Sequence, residues 1–139
     1  MTIVAILHVV AGIAVAFACV ASAARAGSGL GRASAWIAGL AAAVTLATGI
    51  VRLRVWESTY RRAVYLSSIS AGHWLDRKFH FGVAACALSL AAGVVAIRSD
   101  GAPRSLRLVS ALAALCAFLA LGALAMVHAG VPSASLGGP

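Results

Sequence analysis

Four histidines are the residues of this chain whose chemistry is most specific, because imidazole binds haem iron, copper and zinc through a neutral nitrogen. Two of them, His73 and His80, lie in the polar stretch GHWLDRKFHFG at residues 72–82. The other two are His8, near the start of the chain, and His128, near its end. Whether they can act together depends on the elements that position them.

The composition indicates that these elements lie in a lipid bilayer. Of the 139 residues, 63% are hydrophobic and only 10% are charged, and the mean hydropathy is +1.02. A soluble domain of this size could not bury so much apolar surface. The net charge of +8 comes from basic residues that flank apolar runs, without an aromatic-interleaved basic patch, so nucleic acid is not an expected partner.

Four apolar runs are each near the roughly 20 residues that cross about 30 Å of hydrocarbon. They occupy residues 3–24, 33–51, 79–97 and 108–131. The first link is short and rich in glycine, and the third is a short polar turn with Gly and Pro, which is typical of antiparallel neighbouring helices. The sequence therefore predicts an all-α integral membrane protein, an antiparallel bundle of four transmembrane helices in one domain over residues 1–139.

The longest connection, residues 52–78, has a pattern of its own. Trp56, Tyr60 and Val64 recur at four-residue spacing beside several arginines, which predicts a short amphipathic helix on the membrane surface, with a solvated loop as the alternative. The tail, residues 132–139, is rich in Ser, Gly and Pro and is expected to be loose. Basic residues are nearly balanced between the two sides, so the charge rule favours cytoplasmic termini only slightly. The expected location is a bacterial inner (cytoplasmic) membrane.

Alternation of the helices places His8, His80 and His128 in the same leaflet at similar depth, with His73 just outside. On the first and third helices the histidine begins a stripe of mostly small residues, which lets helices approach closely or leaves room for a flat cofactor. These stripes are His8, Gly12, Val15 and Cys19, and His80, Ala84, Ala87 and Ala91. His8, His80 and His128 are therefore candidate ligands for haem b, with copper as the alternative metal. Equally, each could hydrogen-bond between helices or lie at the interface.

The cysteines and carboxylates add no second candidate site. The cysteines lie in apolar runs without a CxxC pair and are expected to be small buried hydrophobes. The acidic residues lie outside the spans, so a paired general acid and base is not expected. These residues are Cys19, Cys86, Cys116, Glu57, Asp76 and Asp100.

The segment Trp74-Leu75-Asp76-Arg77-Lys78 resembles the W-L-x-x-K element that opens a transmembrane helix in the four-helix membrane protoporphyrinogen oxidases. The copper-resistance protein D group is similar in general layout. That family also has an early histidine in its first helix, like His8, and a basic entry to its last helix, like Arg104-Ser105-Leu106-Arg107. Asp76 stands where the family usually has histidine. The resemblance implies that His8 and Lys78 serve haem binding or catalysis, with Lys78 as the catalytic residue.

Two functions follow from these patterns. The first is a membrane haem-b or metal-binding protein in electron transfer or haem handling, which, as an enzyme, would be a haem-dependent oxidoreductase. The second is a non-catalytic membrane subunit that packs into a larger respiratory, photosynthetic or transport complex, or into a homo-oligomer. Copper transport is disfavoured, because Met1 and Met126 are the only methionines and thioethers favour cuprous ions.

Overall fold

Four long helices make up the described chain. The computed structural model describes residues 2–98 and 103–130, and describes side chains over 3–52, 60–98 and 103–130. The helices are α1 (Thr2–Ala24), α2 (Gly29–Ser67), α3 (Ile69–Arg98) and α4 (Pro103–Gly130). The all-α prediction is thereby confirmed for these residues, whereas the predicted loose tail, 132–139, lies outside them.

Each helix contains a stretch long and apolar enough to cross a membrane. The stretches are Ile3–Ala24, Gly29–Arg52, Ile69–Arg98 and Pro103–Gly130. Between its first and last turns, a helix pairs every backbone donor and acceptor within the segment, which is what hydrocarbon requires. The chain is therefore a multi-pass membrane protein by length and composition of its helices.

The connection between the second and third spans differs from the prediction. α2 continues without a break to Ser67, and α3 begins at Ile69, ten residues before the predicted start of the third apolar run. A separate helix over this connection is not confirmed, and the side chain of Trp56 lies outside the described residues. The difference arises because hydropathy falls where arginines begin, whereas helical backbone bonding continues through arginine, a good helix former.

Ser68 alone separates α2 from α3. It is extended, with φ −162° and ψ 119°, and its hydroxyl accepts a hydrogen bond from the Ala71 N–H at 3.2 Å. This is the geometry of an N-cap, which satisfies one of the free donors at a helix start. Contacts on either side of Ser68, such as Arg61 with Asp76, show that the two helices fold back along each other as a hairpin.

The turn between α1 and α2 is held by Ser28. Its hydroxyl donates to the Arg25 carbonyl at 2.8 Å and accepts from the Gly31 N–H at 3.2 Å. Gly31 lies directly against the Arg25 carbonyl, so that a Cβ at this position would clash with it. Glycine is therefore required here by close backbone approach.

Small residues fill the interior of the four-helix arrangement. α1 packs against α2 and α4, and α3 also packs against α2 and α4. The largest cluster of buried residues consists of Val15, Ala16, Cys19, Ala38, Ala42, Ala85, Cys86, Ala113, Ala114 and Ala117. Alanine and cysteine let helix backbones approach closely, which is how helices gain packing energy in lipid.

Candidate functional site

His8 lies on the inward face of α1, as its predicted stripe requires. About two and three turns further along that face, Val15 and Cys19 are buried, and the Cys19 Sγ lies 3.3 Å from the Ser89 Oγ of α3. His8 itself is half-buried. Gly49 of α2 lies beside the ring, because a Cβ built on Gly49 would stand 3.4 Å from the His8 Cε1.

Two threonines of α2 fix the orientation and the tautomer of the His8 ring. Nδ1 lies 3.1 Å from the Thr45 carbonyl oxygen and 3.1 Å from the Thr48 Oγ1. A carbonyl can only accept, and the Thr48 hydroxyl donates its own proton to the Val44 carbonyl at 2.7 Å. Nδ1 must therefore carry a proton and donate it.

The consequence is that Nε2 of the neutral His8 ring holds a lone pair. Within the described residues, the hydrogen bonds of this ring are made through Nδ1. Metal-binding histidines typically donate one ring N–H to a carbonyl or carboxylate, which orients the other nitrogen towards the metal. The ring of His8 is therefore prepared to ligate through Nε2.

Two cationic side chains act electrostatically on the His8 ring, Lys78 of α3 and Arg52 of α2. Arg52 lies one helical turn beyond Thr48, on the same face of α2. Lys78 lies two turns before Ala85 and three turns before Ser89, both of which are buried, so it too is on an inward face. His8 and Lys78, the two residues to which the family resemblance assigned a role, are thus within electrostatic range of each other.

Two glycines near His8 and Lys78 have open space beside them. Gly12 follows His8 by one turn, and Gly82 follows Lys78 by one turn on the inward face of α3. A Cβ at Gly12 or Gly82 would have no heavy atom from elsewhere in the described chain within 4 Å. We call this region the open end, defined by His8, Gly12, Thr48, Arg52, Lys78 and Gly82.

The opposite end of the interior is closed. A Cβ at Gly93 would stand 3.7 Å from the Ala35 carbonyl oxygen, and one at Gly39 would stand 3.6 Å from that of Ser89. The hydroxyls of Ser22 and Ser110, both fully buried, lie 2.9 Å apart. We call this region the closed end, defined by Cys19, Ser22, Ala35, Gly39, Ser89, Gly93 and Ser110.

The α2–α3 hairpin is held together beside the open end by Asp76. Its carboxylate accepts the Tyr65 hydroxyl at 2.5 Å and pairs with the Arg61 guanidinium at 2.9 Å. The Tyr65 ring lies against Gly72, where a Cβ would clash with it. This hydrogen bond from Tyr65 to the Asp76 carboxylate is the main cause that raises the pKa of Tyr65.

His80 and His128 are not placed at the open end with His8. His80 is exposed, and its predicted stripe faces outward, because Ala87 and Ala91 are exposed whereas Ser89 and Ala92 are buried. In the described chain this stripe therefore does not form the close helix contact that its small residues would allow. Position along the chain indicates the depth of His80 in the membrane but not the face of α3 on which it lies.

His80 makes its own local contacts instead. Its Nδ1 lies 2.8 Å from the Asp76 carbonyl oxygen, and its ring packs edge-to-face against Phe79. His128 is exposed in the last turn of α4, and His73 is exposed in α3. Among the described residues, no group of three or more His, Cys, Asp or Glu is arranged to hold a metal ion. A single centre formed by His8, His80 and His128 together is not supported.

The open end offers one histidine nitrogen, so the number of protein ligands that a metal needs decides what could bind there. A bare copper or zinc ion needs three or four protein ligands, whereas a haem already supplies four nitrogens and needs one or two axial ligands. His8 offers one oriented nitrogen, and the two glycines leave space beside it. One oriented nitrogen meets the minimum of one axial ligand that a haem requires, whereas the described residues form no three-histidine metal site.

Sequence reasoning missed Thr45, Thr48 and Arg52. All three lie in or just after the second apolar run, where threonine and a terminal arginine are ordinary. A signal was present, since Thr45, Thr48 and Arg52 share one helical face and are the main polar residues on it. That face could be paired with His8 only once α1 and α2 were known to be adjacent.

No protein-family model matches the chain, and no curated protein or solved structure matches it either.

Proposed function

We propose that this chain is a multi-pass membrane protein that binds haem b at the open end of an antiparallel four-helix bundle, and that it takes part in electron transfer or haem handling. The observation that carries the proposal is the His8 ring, whose Nδ1 donates to Thr45 and Thr48 so that Nε2 is left to ligate. A bacterial inner membrane is its proposed location, and a haem there would supply a redox-active iron.

The residues around His8 have separate tasks in this proposal. Thr45 and Thr48 hold the ring in one orientation and one tautomer, which removes the entropic cost of fixing it when a ligand binds. Gly12 and Gly82 keep the interior open for a flat group. Lys78, as an ammonium at the same site, favours negative charge on the ligand or on a reacting group, and this is the role we propose for it if the protein is an oxidoreductase.

The family resemblance supports the same assignment. It joins His8 with the lysine of the W-L-x-x-K element, and both residues lie at the open end. His80 and His128 are left as candidates for other tasks, because each lies at the surface of the described chain.

The test compares two histidine variants at similar depth. The protein is produced with an adequate haem supply, purified in a maltoside detergent, and studied by absorption spectroscopy in oxidised and reduced states. We expect a Soret band for the wild type and for His80→Ala, and loss of that band for His8→Ala. Added imidazole should restore the band in His8→Ala, because it replaces the missing ligand without repairing any structural defect.

Two results would overturn the proposal. One is a wild-type protein isolated without haem under these conditions. The other is a His8→Ala variant with an undiminished Soret band. A colourless protein that co-purifies with larger membrane proteins at a fixed ratio would favour the alternative, a non-catalytic subunit of a complex.

A further inference from the structure

Arg52 lies where it can reach a ligand at His8 and the membrane surface alike. It is half-buried, it ends the second membrane-spanning stretch, Gly29–Arg52, and it lies one turn beyond Thr48. Its charge acts on His8 and on Tyr60, so Arg52 is within electrostatic range of both residues.

The described chain provides no carboxylate for Arg52. Asp76 is engaged by Arg61 and by Tyr65, and it is the one acidic residue whose side chain is described. A guanidinium that is partly removed from water is stabilised by an oxyanion, and its planar fork matches a carboxylate or a phosphate. The second group on which Arg52 acts, Tyr60, is a neutral phenol at ordinary pH and does not balance the charge.

We propose that Arg52 binds the carboxylates of the tetrapyrrole that His8 ligates. This inference depends on the proposed function, since it concerns the same ligand. A haem carries two propionate groups on one edge. If its iron is held by His8, these anionic groups need a cation or water nearby. Arg52 is a cation one turn from Thr48 towards the membrane surface. Propionates at that depth would keep more of their hydration than propionates deeper in the membrane.

A lipid phosphate offers the same chemistry to Arg52. The position at the end of a span is one where arginines bind headgroups. The experiment must therefore separate an anion that belongs to the bound ligand from one that belongs to the bilayer.

The experiment measures binding of ferric haem b and of its dimethyl ester, in which both carboxylates are blocked. Titrations of haem-free protein in maltoside micelles, which contain no phosphate, are followed by the Soret shift. We expect wild type to bind haem about tenfold more tightly than the ester, the size of effect expected of one charge-assisted hydrogen bond. Arg52→Gln should bring this ratio close to one. Arg62→Gln, which removes an exposed arginine of the same helix, should leave the ratio unchanged.

Four other results would contradict the proposed role of Arg52. Equal affinity of wild type for haem and ester would overturn the role of Arg52 and leave the His8 proposal intact. An unchanged ratio in Arg52→Gln would do the same. If neither compound binds to wild type, the proposed function fails and takes this inference with it. Loss of the wild-type ratio on adding phosphatidylglycerol, but not phosphatidylcholine, would assign Arg52 to the lipid headgroup instead.

Discussion

The closed end and the open end each contain two glycines, but the helices around them pack in different ways. At the closed end, glycine and alanine bring α2 against α3, and buried polar groups pair with each other, as Ser22 does with Ser110. At the open end, Gly12 and Gly82 meet no other part of the described chain. Glycines therefore lie against a neighbouring helix at one end and have open space beside them at the other.

The difference shows that a stripe of small residues does not by itself determine how helices pack. What distinguishes the two ends is the polar chemistry beside the stripe. Charged groups gather at the open end, where Arg52 and Lys78 act on His8, and they are costly to enclose in a tight apolar contact. Serines and a cysteine accompany the stripe at the closed end, where each can be satisfied by a short hydrogen bond.

The largest expected effect comes from the same substitution made at both ends of α3. Gly82 and Gly93 are 11 residues apart, about three helical turns, and so lie on one face. Gly93→Leu should force α2 away from α3 and destabilise the protein by about 1–3 kcal/mol, the usual cost of overpacking. Gly82→Leu should leave stability nearly unchanged, because its surroundings are open. Thermal unfolding in maltoside, followed by tryptophan fluorescence, measures both.

The same pair of variants separates stability from ligand binding. Gly82→Leu fills the space beside His8 and should abolish the Soret band of a protein that is otherwise folded. Equal destabilisation by the two substitutions would mean that the two ends are packed alike, and the distinction between them would be lost.

A smaller effect is expected from the buried serine pair at the closed end. Ser110→Ala leaves the Ser22 hydroxyl without its partner and should cost about 1 kcal/mol, since hydrogen bonds between membrane helices are individually modest. Ser105→Ala, which alters an exposed serine of the same helix, is the matched control. If both variants unfold at the wild-type temperature, the pairing of hydroxyls contributes nothing to holding this end closed.

The sequence alone was sufficient for the number and approximate position of the apolar helices, because hydrophobicity over about 20 residues is set by the bilayer rather than by tertiary contacts. It was also sufficient for the inward direction of His8, whose stripe continues through Val15 and Cys19. The direction of His80 could not be derived in the same way. Small residues are so frequent in α3 that the exposed stripe, Ala84, Ala87 and Ala91, differs little in composition from the buried one, Ala85, Ser89 and Ala92.

The α2–α3 hairpin beside the open end could not be predicted from the sequence, for a different reason. Hydropathy marks where lipid ends, but the length of α2 beyond Arg52 depends on contacts such as Tyr65 with Gly72 and Arg61 with Asp76. These pairs form only after Ser68 has turned the chain. The sequence indicates only that Asp76 lies outside the apolar runs, whereas in the structure its carboxylate joins α2 to α3 beside the open end.

The smallest effect, and the most specific to the open end, concerns the hydrogen bond from Tyr65 to Asp76. Because the carboxylate accepts a hydrogen bond from the phenol, the folded pKa of Tyr65 is raised above its unfolded value of about 10. A raised pKa means that this bond stabilises the hairpin fully below about pH 10 and that the contribution is lost as the pH rises through the folded pKa. Tyrosinate absorbance in a Tyr60→Phe background reports Tyr65 alone, and Asp76→Asn should return its titration towards the ordinary value.

Tyr60 provides the control for this titration. Its pKa is also raised, but mainly by burial, so in a Tyr65→Phe background Asp76→Asn should leave the titration of Tyr60 where it was. A shift of both tyrosines would show that Asp76→Asn loosens the whole of the described hairpin rather than one bond. If neither tyrosine shifts, Asp76 does not hold the hairpin, and the open end is kept in place by the contacts of its helices alone. A shift in the titration of Tyr65 without a shift in that of Tyr60 would show that Asp76 holds the hairpin beside the open end through this one bond.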